Sequence, residues 1–295
     1  MGMTAYFVSS QLFRILIIVA ISLGTVIALG GSGHGQQADE ETVLGEVREN
    51  IHDIWEVTDG PISRGESARA WVWGPEPLAS STETYPGSPD GLRRFVYFDK
   101  GRLDILDLER DPDDPWYAVG GLLVSEMLAG RIQLGVDRYV DYATPDISIT
   151  GDAGQAEPVT YADLARYSIV HPDDLLSRSE LAYLADETEA GDRSGAPVTT
   201  LLEPDGGLVP GGESNHDVTL GEFDPVTELN IAAPFATWAD QQELSRLYLL
   251  GRPVTAPYWI DTVENGEPIR VLIQAFERRI MMYTPGGREG WQVES

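Results

Sequence analysis

A repeated stretch constrains this chain more than any other feature. The segment RRFVYFDKGRLDIL (residues 93–106) has a counterpart in VLIQAFERRIMMYTP (residues 271–285). Aligned without a gap, Phe98 meets Phe276, and each of these phenylalanines is followed by an acidic and then a basic residue. A Gly-Pro-rich segment precedes each copy and a tryptophan follows it. The repeat predicts one small structural unit that the chain uses twice.

Local patterns predict β-hairpins inside both copies. In the first, residues 95–98 and 102–106 flank the turn Asp99-Lys100-Gly101, whose glycine suits a position at positive φ. In the second, Asn265-Gly266 joins two alternating apolar runs, and this dipeptide is a strong signal for a tight hairpin turn. Alternation in SARAWVW predicts one more strand, over residues 67–73, which Gly74 and the prolines after it would end.

Apolar residues at helical spacing predict helices before and between these strands. The helices are expected over residues 42–56, 122–128, 161–167, 173–185 and 231–242. Gly130 is placed to end the second helix, and Thr160 with Asp163 is placed to form a capping box at the start of the third.

The order of these elements predicts the domain organisation. Residues 39–150 and 217–295 form two related β-hairpin units, each with a packed helix. Residues 151–216 are rich in Gly, Asp, Pro, Glu, Ser and Ala and form an acidic, loop-rich segment that joins the two units. The predicted fold class is therefore α+β, mainly antiparallel β.

Residues 1–38 predict export from the cell. Arg14 precedes a nearly unbroken apolar run, residues 15–31, and small and polar residues follow it. The run is long for the core of a signal peptide and short for a spanning helix. The leader is either cleaved between residues 30 and 38 or kept as an N-terminal anchor, which would touch the membrane through residues 11–31. Both outcomes place the remaining chain outside the cell or on its surface.

Composition excludes several kinds of function. The chain has 48 acidic and 20 basic side chains, a formal net charge of −28, and no cysteine. A field of this sign repels phosphate backbones, so nucleic acid is not expected as a partner. Without cysteine the protein has no disulfides, no thiolate metal site and no cysteine nucleophile.

The repeated segments resemble a group of secreted proteins of the bacterial phylum Chloroflexota, over residues 71–135 and 217–295. More distantly they are similar to the Leu-Gly-Phe-Pro repeats of actinobacterial cell-wall proteins, which are thought to tether proteins to the wall. Leu250-Gly251-Arg252-Pro253 departs from that motif, with Arg in place of Phe. The resemblance implies an extracellular protein and carries over no catalytic residue. The matching residues are Trp73-Gly74-Pro75, Tyr97-Phe98-Asp99-Lys100 and Trp116, then Gly251-Arg252-Pro253, Phe276-Glu277-Arg278 and Trp291.

Aromatic residues give the best candidate for a ligand site. Trp71 and Trp73 alternate along the predicted strand over residues 67–73, so they share one face, and Arg69 lies on that face too. Two flat rings beside a guanidinium can stack on sugar rings. The alternative is that both tryptophans are core residues, because a small β unit needs large side chains to bury. The second tryptophan group, Trp116 and Trp291, recurs in both copies with Phe98 and Phe276, and this recurrence predicts core positions.

Carboxylates offer a candidate metal site. Asp111, Asp113 and Asp114 lie in the segment DLERDPDDPW, and oxygen ligands at alternating positions suit a hard cation such as Ca²⁺. The alternative is a plain acidic turn, which Pro112 and Pro115 favour. No other cofactor is predicted, because the sequence has no glycine-rich nucleotide-binding pattern.

No motif for catalysis is present in the sequence. Histidines do not occur at metalloprotease spacing, there is no Gly-x-Ser-x-Gly, and the triad residue types in Ser214-Asn215-His216-Asp217 are adjacent rather than dispersed. We therefore expect a secreted or surface-anchored, non-enzymatic module that binds cell-envelope or extracellular polysaccharide. The alternatives are an extracellular polysaccharide hydrolase with paired carboxylates and a purely structural surface protein.

Overall fold

The structure, a computed structural model, describes residue 49 and residues 51–135, 138–170 and 191–295. The expected leader over residues 1–38 lies outside these ranges. So do the predicted helix over residues 173–185 and most of the one over residues 42–56. Within the described ranges, no helix has the length and apolar character needed to span a bilayer.

Two short helices and an antiparallel sheet of four strands come first. The helices are α1 (His52–Thr58) and α2 (Gly60–Ser63). The strands are β1 (Ala79–Thr84), β2 (Leu92–Phe98), β3 (Gly101–Ile105) and β4 (Val119–Gly120). They lie in the order β1-β2-β3-β4, and β2 with β3 forms the predicted hairpin, with Phe98 opposite Gly101.

The middle of the chain contributes two helices and a ribbon. These elements are α3 (Leu123–Ala129), β5 (Arg131–Gly135), β6 (Arg138–Asp141) and α4 (Tyr161–Ala165). Two sequence predictions are confirmed here. Gly130 caps α3 in the left-handed conformation at φ 61°, and Thr160 and Asp163 form the capping box at the start of α4.

The second half adds eight strands and two helices. They are β7 (Leu201–Leu202), β8 (Leu208–Val209), β9 (Leu220–Asp224), β10 (Leu229–Ala232), α5 (Ala233–Asp240), α6 (Arg246–Leu249), β11 (Tyr258–Glu264), β12 (Glu267–Ala275), β13 (Ile280–Tyr283) and β14 (Val293–Glu294).

Six of these strands form the larger sheet, in the order β14-β13-β12-β11-β7-β8. Asn265 and Gly266, at φ 55° and 80°, make the predicted tight turn between β11 and β12. Strand β7 pairs in parallel with β11, whereas the other pairs in this sheet are antiparallel. The loop-rich segment over residues 151–216 therefore contributes two strands to this sheet. The fold as a whole is mixed α and β, mostly antiparallel β sheet with few helices.

Two apolar clusters lie on opposite faces of the larger sheet. The first joins both halves of the chain and contains Trp73, Phe98, Trp259 and Phe276. The second packs beneath α3 and α4 and contains Tyr258. Since Tyr258 and Trp259 are neighbours on β11, their side chains point to opposite faces. Coverage on both faces explains why β12 has Val271, Leu272 and Ile273 in succession instead of an alternating pattern.

The predicted strand over residues 67–73 is wrong, because this segment is irregular and the first sheet begins only at Ala79. Asp59 gives the physical reason. Its buried carboxylate accepts hydrogen bonds from the backbone N–H groups of Val72 (2.8 Å), Trp73 (2.6 Å) and Gly74 (3.1 Å). Backbone donors that are bound to a carboxylate cannot pair with a neighbouring strand.

Each half of the chain has a corner where the segment before its hairpin meets the hairpin turn. In the first, the N–H of Lys100 donates to the carbonyl of Trp73 (3.0 Å), and Gly74 lies against Asp99. In the second, the N–H of Arg278 donates to the carbonyl of Leu250 (3.0 Å), and Gly251 lies against Glu277. The two corners therefore share one pattern of contacts.

Arg279 connects the second hairpin to the first half of the chain. Its guanidinium donates to the carbonyls of Val72, Lys100 (2.9 Å) and Leu249 (3.0 Å), and its Cζ lies 4.1 Å from the centroid of the Trp73 ring. Burial lowers the pKa of Arg279, and the nearby Asp59 carboxylate opposes that shift. The two halves thus meet around one buried cation.

Candidate functional site

A groove of about 280 Å³ lies beside α1. Trp55, Pro77 and the buried Phe98 line it, and the exposed side chains of His52 and Glu76 lie at its edge. Small-molecule sites are mostly apolar with a few polar groups, and their volumes are roughly 300–1,000 Å³. The groove is just below that range, which suits one sugar ring better than a large ligand.

The aromatic wall of this groove is held in place. Trp55 donates from Nε1 to the carbonyl of Gly74 (2.8 Å), and its ring stacks on Trp71 at 6.5 Å between centroids and 28° between planes. Both indoles are half-buried. Arg69 lies along the same helix and donates to the carbonyl of Thr58. Of the predicted ligand residues, Trp71 thus contacts Trp55 and Arg69 bonds to the end of the same helix, but neither is among the residues that line the groove.

The third, Trp73, lies in the core. Its side chain is 1% exposed and packs on Phe98 at 5.7 Å between ring centroids. Because residues 67–73 do not form a strand, Trp71 and Trp73 do not share a strand face with Arg69. The structure places Trp71 against Trp55 of α1, Arg69 at the end of α1, and Trp73 in the core.

The carboxylates of the acidic turn bind their own backbone. Asp111 accepts from the N–H of Asp113 (3.0 Å), and Asp114 accepts from the N–H of Trp116 (2.8 Å) and pairs with Arg110 (3.4 Å). In the part of the chain that the structure describes, no group of three or more Asp, Glu or His side chains converges as a metal site requires. Calcium at Asp111, Asp113 and Asp114 stays a prediction.

Trp116 differs from its expected environment. The recurrence in both copies predicts a core position, and for Phe98 and Phe276 this is confirmed, since both are 0% exposed. Trp116, however, is 63% exposed, and Trp291 is half-buried. The ring of Trp116 rests against Tyr248 at 6.5 Å between centroids, so its neighbour comes from the other half of the chain.

A cluster of five charged side chains lies on the outer face of the first sheet. Arg102 pairs with Asp104 and Glu126, both at 2.7 Å, and Arg93 pairs with Glu83 at 2.7 Å. Burial alone would lower the pKa of Arg102, but the two carboxylates outweigh it and raise that pKa well above its usual value. Burial raises the pKa of Glu83 against the opposing effect of Arg93. Because the charges satisfy one another, we assign this cluster to the packing of α3 on the sheet.

His216 takes part in a separate contact. Its Nδ1 lies 3.3 Å from a carboxylate oxygen of Glu213, and its ring stacks on Trp259 at 5.0 Å between centroids. Glu213 in turn pairs with Arg270 at 3.0 Å. The neighbouring Ser214 is exposed, and none of the contacts described for this part of the chain joins it to His216 in a triad.

Sequence reasoning missed Trp55 and Trp116 as ligand candidates. Trp55 was expected only as part of the apolar face of a helix. The available signal was its size, since an indole with a polar N–H at a helix end often contacts both the core and the solvent. Trp116 follows a run of acids and prolines, which indicates an exposed turn. Neither signal reveals the aromatic ring that packs against each tryptophan, Trp71 against Trp55 and Tyr248 against Trp116.

In comparisons with known proteins, the chain matches no family model, no curated protein and no solved structure.

Proposed function

We propose that the protein is a secreted or surface-anchored, non-enzymatic module that binds cell-envelope or extracellular polysaccharide in the groove beside α1. The observation that carries this proposal is the Trp55 ring, which lines a concave site and has Trp71 stacked on it at 6.5 Å between centroids. One face of a sugar ring is apolar enough to pack on an indole, and His52 and Glu76 are placed to bond to its hydroxyl groups.

The groove favours binding over hydrolysis. Cleavage of a glycosidic bond by the usual mechanisms needs two carboxyl groups that face each other across the scissile bond. Among the described residues that line the groove, Glu76 is the one carboxylate. Export and surface location, which we infer from residues 1–38, would bring this site to envelope and extracellular glycans.

Co-sedimentation tests the proposal. The purified protein is mixed with isolated cell envelope and with a panel of insoluble glycans, with and without Ca²⁺. We expect saturable retention on at least one glycan, and retention weaker by about fivefold or more for Trp55→Ala, because stacking on an aromatic ring contributes on the order of 1 kcal/mol or more. Failure of the unaltered protein to bind any of these materials would remove the proposal.

Control variants separate loss of the site from loss of the fold. Glu76→Gln and His52→Ala change exposed side chains at the groove and should weaken retention while leaving the urea unfolding midpoint in place. Tyr139→Ala removes a 53% exposed aromatic ring on the β5–β6 ribbon and should leave retention unchanged. Equal losses for the groove variants and Tyr139→Ala would mean that the groove is not the binding site.

We also propose that the two halves are copies of one unit. The shared corner contacts support this, and so does the succession of four strands in chain order, β1-β2-β3-β4 and β11-β12-β13-β14. Reciprocal exchange tests it. A variant with Asp99→Glu and Lys100→Arg, or one with Glu277→Asp and Arg278→Lys, should lose less than about 1.5 kcal/mol in stability, since like side chains then occupy like corners. Losses well above that would mean that the corners are not equivalent.

A further inference from the structure

We propose that the surface around Trp116 binds a basic segment of another polypeptide, with an arginine or lysine side chain stacked on the Trp116 ring. This surface lies outside the groove that we assign to glycans, and the proposal does not depend on that assignment. It rests on the exposure of Trp116, on how its ring is held, and on the charge around it.

Trp116 is exposed to solvent. All seven tryptophans of the chain lie in the described ranges, and Trp116, with 63% of its surface accessible, is the one exposed tryptophan among them. The other six are buried or half-buried. An exposed tryptophan places a large apolar face in water, and such residues are enriched at the centres of protein interfaces.

The Trp116 ring is already held in a fixed position. The N–H of Trp116 donates to Asp114 (2.8 Å), and its carbonyl accepts from Arg110 (3.0 Å). The ring packs against Tyr248, whose hydroxyl donates to the carbonyl of Ala118 (2.7 Å). A side chain that is held before binding loses little conformational entropy when a partner arrives.

The charge around Trp116 is negative. The turn that carries Trp116 also carries Asp111 and Asp113, both exposed, while its one cation, Arg110, is paired with Asp114. Tryptophan is the best aromatic partner for a cation, and nearby carboxylates raise the local concentration of cations. The combination favours a planar, charged arginine more than a neutral ligand.

Fluorescence anisotropy with labelled hexa-arginine and hexa-lysine peptides tests this proposal on the full-length protein at low and moderate salt. We expect Trp116→Ala to weaken the binding of hexa-arginine by about fivefold or more. Asp113→Asn should weaken the binding of hexa-arginine less, and only at low salt, because it removes one exposed charge of the turn. Hexa-arginine should bind more tightly than hexa-lysine.

Matched controls decide whether the effect belongs to this surface. Tyr139→Ala removes another exposed aromatic ring, and Asp240→Asn removes an exposed charge elsewhere. Both should bind hexa-arginine as the unaltered protein does. If Trp116→Ala and Tyr139→Ala bind equally well, the peptide is attracted by net charge alone and the proposal is wrong.

A glycan is the other ligand that an exposed indole can serve. If Trp116→Ala loses retention on an insoluble glycan and keeps its affinity for hexa-arginine, the surface is a sugar site and the proposal is overturned. Loss of glycan retention for Trp55→Ala with no change in hexa-arginine binding would keep the two sites distinct.

Discussion

Arg279 is a cation with almost no access to water. Arg279 is 3% exposed, and its guanidinium donates to three carbonyls that come from three different segments of the chain. A buried charge is costly unless its hydrogen bonds are made, and here most of them are. Once it is in place, the carbonyls depend on it, because each would otherwise be a buried acceptor without a donor.

Replacement of Arg279 by methionine should therefore destabilise the protein by about 3 kcal/mol, since the apolar side chain fills part of the volume and leaves the carbonyls unpaired. Urea unfolding measures the change. Arg288→Met is the matched control, because Arg288 is exposed and lies 5.8 Å from the Trp291 ring, and it should change stability by less than about 0.5 kcal/mol. Similar stability for both variants would show that Arg279 does not hold the segments together.

Asp224 predicts how stability changes in acid. It is 1% exposed, accepts from the N–H groups of Val226 and Thr227, and pairs with Arg252 at 2.9 Å. Burial would raise its pKa, but these hydrogen bonds and the guanidinium outweigh burial and hold the pKa below the ordinary value of 3.8. The folded protein thus binds this proton more weakly than the unfolded chain does.

The contribution of Asp224 is fully present above pH 3.8 and is lost as the pH falls through the lower, folded value. The contribution of Asp224 to the free energy of unfolding should therefore fall as the solution is acidified below about pH 4. Asp224→Asn should be less stable at neutral pH and should show a shallower fall in acid. A variant with the same acid dependence as the unaltered protein would contradict the assignment.

At the scale of elements, the two corners leave different amounts of room for a side chain at their glycine. Gly251 has φ 78°, and a Cβ added there would lie 2.7 Å from the Cβ of Glu277. Gly74 has φ 122°, and an added Cβ would lie 3.2 Å from the Cβ of Asp99. Both positions are in the region that residues with side chains rarely adopt, and the second corner is also the tighter of the two.

Three alanine variants separate backbone strain from crowding. Gly154 has φ 85° with no heavy atom within 4 Å of an added Cβ, so Gly154→Ala measures strain alone, about 1 kcal/mol. Gly74→Ala should cost more, and Gly251→Ala most, by at least about 1 kcal/mol beyond Gly154→Ala. Chemical denaturation of the three gives the order, and a different order would mean that the corners relax around the new methyl group.

The elements that were predictable are those set by near neighbours in sequence. The capping box of Thr160 and Asp163 and the turn at Asn265-Gly266 each need contacts within about four residues, and a sequence pattern contains them. The strand over residues 67–73 was not predictable, since Asp59 takes its backbone donors. The groove was not predictable either, because Trp55 contacts Trp71 and Gly74, which are distant in sequence and come together only in the fold.

At the scale of the whole molecule, the first of the two apolar clusters is shared by both halves of the chain. Phe98 and Phe276 come from different halves and belong to one apolar cluster, together with Trp73 and Trp259. A cluster that spans both halves makes each of them depend on the other, as in a single cooperative unit. The two units that the sequence predicts are therefore not separated by a boundary in the packing.

Calorimetry should show a single unfolding transition whose calorimetric enthalpy equals the van't Hoff enthalpy. Phe98→Ala and Phe276→Ala, one in each half, should each shift that same transition to lower temperature. Each should lower the free energy of unfolding by about 3–5 kcal/mol, because both remove a fully buried ring. Two transitions, of which each variant shifts one, would mean that the halves unfold independently.

The contacts that close the first half come from very late in the chain. Arg279 reaches the carbonyl of Val72, 207 positions away, Lys100 pairs with Glu294, and the N–H of Ala70 donates to Gly290. Contacts between such distant positions make folding slow, because the intervening chain must first be ordered. A ribosome would have to deliver nearly every residue before the core could close. Until then the first half lacks the contacts that complete its packing.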